Sequence, residues 1–140
     1  MNVNFYNNSS FVIEPSFVEA LVISSLDFCS VKSSEVTIYF VDKSTICKLH
    51  EDFFNDPSLT DCISFPLDDP SEEGGILGEV FVCPEVAVDY APETPLQEVA
   101  LYIVHGLLHL LGYDDQTEEE CVKMRAQEHY LLEKFGLLTV

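Results

Sequence analysis

Two histidines, His105 and His109, stand four residues apart in the stretch HGLLHLLGYDD, an apolar run that stops at Gly112 and leads into Asp114 and Asp115. Residues four apart on an α-helix point nearly the same way, so both imidazoles can hold one metal ion from a single face. Glycine accepts a positive φ without steric cost, so Gly112 lets the chain reverse and bring Asp115 back toward the same ion. Two imidazoles and one carboxylate leave a position open for water, as in catalytic zinc sites; structural zinc usually takes four protein ligands. Such an ion lowers the pKa of its water to about 7 and supplies hydroxide at neutral pH. The alternative is a pair of histidines on a partly exposed helix face, and the glycine stop with carboxylates straight after it favours ligation. The other two histidines, His50 and His129, read as surface or packing residues. The spacing also overlaps the metalloprotease pattern H-E-x-x-H-x-x-G-x-x-H/D, but the position of its general base is occupied here by Gly106, which has no side chain to take a proton.

The elements that must position these residues can be read from the same sequence. Asn2 to Tyr6 alternates polar and apolar residues as a strand does. Pro15 opens an amphipathic helix, with Phe17, Leu21 and Val22 on one face, running to about Asp27. Glu35 to Val41 is rich in β-branched and aromatic residues and reads as a buried strand. Asp42 can cap a helix from Lys43 to Phe54. Asp61 to Phe65 is a short strand ended by Pro66, and Ile76 to Cys83 a longer one ended by Pro84. Thr94-Pro95-Leu96-Gln97 has the form of a capping box with proline in the first turn, starting a helix that runs to about Leu111 and stops at Gly112. Thr117-Glu118-Glu119-Glu120 is a second capping box, and the last helix ends at Gly136. These elements predict an α+β fold: one domain over 1–140, a mixed four-stranded sheet packed with four to five helices, and the metal site at the end of a central helix.

Composition sets limits. A chain of 140 residues with 47% hydrophobic residues is large enough for one domain with a real core. No apolar run approaches the roughly 18–20 residues of a membrane span, and the N-terminus lacks the pattern of a signal peptide. Five scattered cysteines without a C-x-x-C pair argue against a disulfide framework and for the reducing cytoplasm. The net charge of −19, with only six lysines and arginines, repels nucleic acid from the surface as a whole.

Residues 105–114 (HGLLHLLGYD) resemble the signature H-G-x-L-H-L-x-G-Y-D-H of the YbeY endoribonucleases, the ribosomal RNA maturation factors. Thr60 to Pro66 (TDCISFP) is similar to the family's T-D-V-L-S-F-P, and Leu77 to Val80 to its L-G-D-I. The last helix, with Glu120, Met124 and Glu128 and the ending Leu131-Leu132 and Phe135-Gly136-Leu137, is similar to the family's C-terminal helix. The resemblance covers most of the chain. It implies a single α+β domain with one zinc ion and a metal-dependent endoribonuclease specific for single strands. It implies a place in ribosomal RNA processing, in particular small-subunit maturation, and in ribosome quality control. His105 and His109 carry over as ligands. The third histidine of the signature falls on Asp115, whose harder carboxylate could shift preference toward manganese or iron. Asp114 is the rival third ligand, and spacing favours Asp115.

A second departure lies in the loop before TDCISFP. There the family's L-N-x-x-Y/F-R pattern places a basic residue, and here that position is Phe54. An arginine could bind a phosphate bidentately, whereas phenylalanine can stack or pack. Substrate contacts are therefore assigned to Ser64 and Phe54, with Tyr113 as a further polar contact. Single-stranded ribosomal RNA would be reached through a local cluster such as Lys43 and Lys48, or delivered by a basic ribosomal protein. Two other function classes stand beside the ribonuclease: a non-catalytic ribosome-assembly factor that keeps the fold, and a metallopeptidase-like hydrolase using the same water.

Overall fold

A computed structural model of the chain describes residues 1–137. The alternating and β-branched runs form four strands, β1 (Asn2–Asn7), β2 (Glu35–Phe40), β3 (Cys62–Pro66) and β4 (Ile76–Val82). They make one sheet in the order β1-β2-β4-β3. β1 pairs parallel with β2, β2 parallel with β4, and β3 antiparallel with β4, so the sheet is mixed as predicted.

The parallel pairs require crossovers, and helices supply them. α1 (Pro15–Asp27) connects β1 to β2, and α2 (Lys43–Phe54) leaves β2 on the way to β3. Alternation then sorts the sheet's two faces. Val36, Ile38, Phe40, Val80 and Val82 point into the main core, against Val18, Leu21 and Val22 of α1. On the other face the rings of Tyr6, Tyr39 and Phe81 stack side by side across three strands, with centroids 5.4 and 4.6 Å apart.

The helix that carries the two histidines is α4 (Pro95–Leu110). Its sequence is apolar almost all round, the pattern of a helix enclosed by the rest of the domain. It packs against α1, β3 and β4, and also against α3 (Pro84–Tyr90) and α5 (Glu118–Phe135). Val99, Ile103, Val104, Leu107 and Leu108 are buried, which leaves His105 and His109 on the remaining, partly open side. Gly112 then takes φ +97°, the left-handed conformation expected of the stop.

Two expectations are corrected. Pro84, read as the end of a strand, is also the first residue of α3, because proline's fixed φ and missing N–H suit a helix's first turn. The capping box at Thr94 does not form: Thr94 sits at φ −138°, ψ 51° and its side chain caps nothing, so Pro95 alone marks the start of α4. The second box does form, with Thr117 Oγ1 accepting from Glu120 N at 3.1 Å and Glu120 Oε1 accepting from Thr117 N at 3.0 Å. Among the described residues all five cysteines are unpaired, and no helix is long and apolar enough to cross a membrane.

Candidate metal centre

His105 and His109 occupy successive turns at the C-terminal end of α4, with side chains 28% exposed. Their Nε2 atoms lie 3.1 Å apart. The turn at Gly112 returns the chain so that Asp115 Oδ2 stands 3.6 Å from both. Asp114 is not part of this group, since its Oδ1 turns back to accept from the Asp115 backbone N–H at 2.8 Å. The Cys121 thiol donates to the Asp115 carbonyl at 3.2 Å and helps hold the turn against the start of α5.

The far side of each imidazole fixes what the near side offers. His109 Nδ1 lies 3.0 Å from the Tyr113 carbonyl, which can only accept, so Nδ1 carries the proton and neutral His109 has a bare lone pair on Nε2. His105 Nδ1 lies 2.5 Å from the Glu128 carboxylate, with the same consequence. Two lone pairs and a carboxylate oxygen thus converge on one point. An arrangement of that kind is unfavourable unless something positive sits between them. A tetrahedral ion with bonds of about 2.0–2.1 Å needs ligand atoms about 3.3 Å apart, close to the spacings found here. The three residues fit a divalent metal.

The electrostatics agree. Burial works against a charged His105, but the hydrogen bond and charge of Glu128, with the charges of Asp61 and Asp115, outweigh it and hold this imidazole above the ordinary histidine range. A proton and a metal ion answer the same surplus of negative charge. Burial pushes the neighbouring Cys62 thiol well up, with Asp61, Glu128 and Asp115 adding to it, and Cys62 lies outside the converging group.

A cleft of about 570 Å³ opens from this group. His109 and Asp115 line it, together with Phe54, His50, Ser64 and Tyr113. Ser64 sits on β3 and gives its hydroxyl proton to the Gly106 carbonyl at 2.7 Å, which ties the strand to α4. His50, read as a surface or packing residue, lies at the cleft with its Nδ1 2.8 Å from the Ser58 carbonyl. Lys43 and Lys48 do not line the cleft: Lys43 is paired with Asp89 and Lys48 with Asp52.

A family model described as Endoribonuclease YbeY matches residues 5–136. The chain belongs to the YbeY endoribonuclease family. It is 56% identical over 98 residues to "Endoribonuclease YbeY" of Protochlamydia amoebophila, a match over 67% of this chain and 65% of that one. To the protein of the same name from Chlamydia abortus it is 43% identical over 134 residues, covering 87% of this chain and 85% of the relative. The solution structure of a Thermotoga maritima protein has the same fold, with a TM-score of 0.58 and 21% identity over 96% of this chain and 91% of that one. The fold brings together His105, His109 and Asp115, the three residues the sequence assigns to the site, as a group that could hold a metal ion.

The site residue that sequence reasoning missed is Glu128. It is buried, and it reaches His105 from α5 across the bundle. The available signal was a carboxylate in the otherwise apolar stripe Met124, Leu131, Leu132 of that helix, since an unpaired buried charge is costly. Carboxylates that orient a metal-bound histidine typically account for 10–100-fold in metal affinity. Glu128→Gln keeps an acceptor for Nδ1 but removes the charge, and is expected to weaken zinc binding by roughly tenfold. Competition against a chromophoric chelator measures this, and unchanged affinity would show that Glu128 only packs.

Proposed function

We propose that the chain is a metal-dependent endoribonuclease specific for single strands, acting in ribosomal RNA processing, small-subunit maturation and ribosome quality control. The observation that carries the reading is the convergence of His105 Nε2, His109 Nε2 and Asp115 Oδ2 in a member of an endoribonuclease family. Zinc, one ion per chain, suits two imidazoles and a carboxylate with an open position, and manganese or iron is the alternative. A divalent ion held there supplies an activated water and a positive charge beside the scissile phosphate.

The chain's own residues do the rest. Glu128 and the Tyr113 carbonyl orient the two imidazoles so that both present lone pairs inward. Asp115 closes the third side. Ser64, its proton engaged by Gly106, keeps oxygen lone pairs for a polar group of the substrate, and Phe54 stands beside the cleft for an apolar one. The partners are single-stranded ribosomal RNA and ribosomal proteins, whose basic surfaces complement a net charge of −19. The whole of 1–140 acts as one domain in the cytoplasm, in keeping with unpaired cysteines.

The first experiment is elemental mass spectrometry on protein purified without added metal, followed by cleavage of single- and double-stranded RNA with and without chelator. About one zinc per chain and chelator-sensitive cleavage of single strands is the expected result. A second reading, a ribosome-assembly factor without cleavage, draws on a cleft that no lysine or arginine lines among the described residues. It predicts ribosomal-protein binding that persists in His109→Ala and no RNA cleavage by the unaltered chain.

A further inference from the structure

We propose that the cleft grips RNA by a base rather than by phosphates, with the Phe54 ring as the stacking surface. The inference rests on the endoribonuclease reading above and names the part of the substrate that the site recognises.

Phosphate recognition is poorly served here. Among the described residues no lysine or arginine lines the cleft, while Asp114 and Asp115 do. The lysines of the adjacent helix α2 are engaged with Asp89 and Asp52. Beyond the single phosphate at the metal, an RNA strand must therefore be held by something other than charge, and stacking is the interaction that every base can make.

Phe54 is built for that contact. It is 53% exposed although it is large and apolar, and it lines the same cleft as His109 and Asp115. Its ring makes tilted contacts with Phe65 at 6.2 Å and with His50 at 5.8 Å. The segment after it is ordered by local bonds. Asn55 ends α2 in the left-handed conformation, His50 bonds the Ser58 carbonyl, and Asp56 accepts from the Ser58 N–H. A ring positioned before binding costs little entropy when a base arrives. The other aromatic row, Tyr6, Tyr39 and Phe81, stacks across the sheet and does not line the cleft that holds His109 and Asp115. A base held at Phe54 must be unstacked from its neighbours, so the substrate class is unstructured single strand.

The test is fluorescence anisotropy with a short 2′-O-methyl oligonucleotide, checked by gel electrophoresis to stay intact during the measurement, and with the same strand carrying abasic sites, using zinc-loaded protein. Phe54→Ala is expected to weaken binding about tenfold, and Phe54→Tyr to restore it. Abasic sites are expected to weaken binding to the unaltered chain by a similar factor, with little further effect on Phe54→Ala. Between about 50 and 200 mM salt the affinity should fall far less than for a protein that neutralises several phosphates. Because Phe54 is half exposed, the alanine variant should fold, and circular dichroism checks it. Unchanged affinity in Phe54→Ala, or insensitivity to abasic sites, overturns the proposal. If the unaltered chain cleaves single-stranded RNA with a KM that Phe54→Ala leaves unchanged, the stack is wrong and the endoribonuclease reading stands. If the unaltered chain neither binds nor cleaves RNA, both fail.

Discussion

His109→Ala is expected to yield a folded protein that retains no zinc through purification and whose RNA cleavage drops by about a thousandfold or more. The side chain is one of three that meet at the centre, so its removal leaves one imidazole and one carboxylate, too few to hold an ion against dilution. An ion that activates water and offsets phosphate charge is worth several kcal/mol in the transition state, and about 1.4 kcal/mol is a factor of ten in rate. The fold should survive because His109 sits at the partly open end of α4 and not in its core. Asp115→Ala is the graded comparison. It removes the ligand contributed by the turn and leaves both histidines oriented, so zinc content should fall less. Elemental analysis per chain, cleavage rate and circular dichroism measured together decide the matter. A His109→Ala protein with the zinc content of the unaltered chain would remove this centre from the mechanism.

The parts of this site that were legible in the sequence are those set by local geometry. The i, i+4 spacing of His105 and His109 determines that they share a helix face. Gly112 takes the positive φ that the turn needs, which returns Asp115 to within 3.6 Å of both imidazoles. What stayed hidden depends on how separate elements meet. Glu128 is 23 residues from His105, and only the packing of α5 on α4 brings them together. His50 reached the cleft for the same reason, through the position of α2 beside β3. The errors in the secondary structure were also errors of context. Proline stops a strand and starts a helix with equal ease, so Pro84 concealed α3. The four residues at Thr94 have the composition of a capping box, but the backbone there is not extended and the reciprocal bonds are not made.

Gly106→Ala is expected to destabilise the protein by about 2 kcal/mol and to weaken metal binding with it, although alanine is the better helix former. In an exposed helix the change would be favourable by about 1 kcal/mol. Here a Cβ on residue 106 would stand 2.4 Å from Val80 Cγ1 and 3.1 Å from Ser64 Oγ. Val80 is fully buried in β4 and has no solvent to move into, so α4 must lift from the sheet. Overpacking of this kind costs typically 1–3 kcal/mol, and the Ser64 bond to the Gly106 carbonyl stretches or breaks as well. The net loss corresponds to a fall in melting temperature of roughly 5–10 °C. His105 is the adjacent residue, so the same displacement moves its imidazole relative to Glu128 on α5. Thermal melting and zinc affinity should therefore decline together in Gly106→Ala, and Val80→Ala added to it should recover part of both, a coupling that a surface effect would not produce. The direction of this position also bears on the metallopeptidase alternative. A glutamate at residue 106, where such enzymes keep their base, would start from a Cβ 2.4 Å from Val80 Cγ1, so this backbone has no room for that base. The residue after the first histidine has no side chain because the helix lies that close to the sheet, and the chemistry of the centre is left to His105, His109 and Asp115.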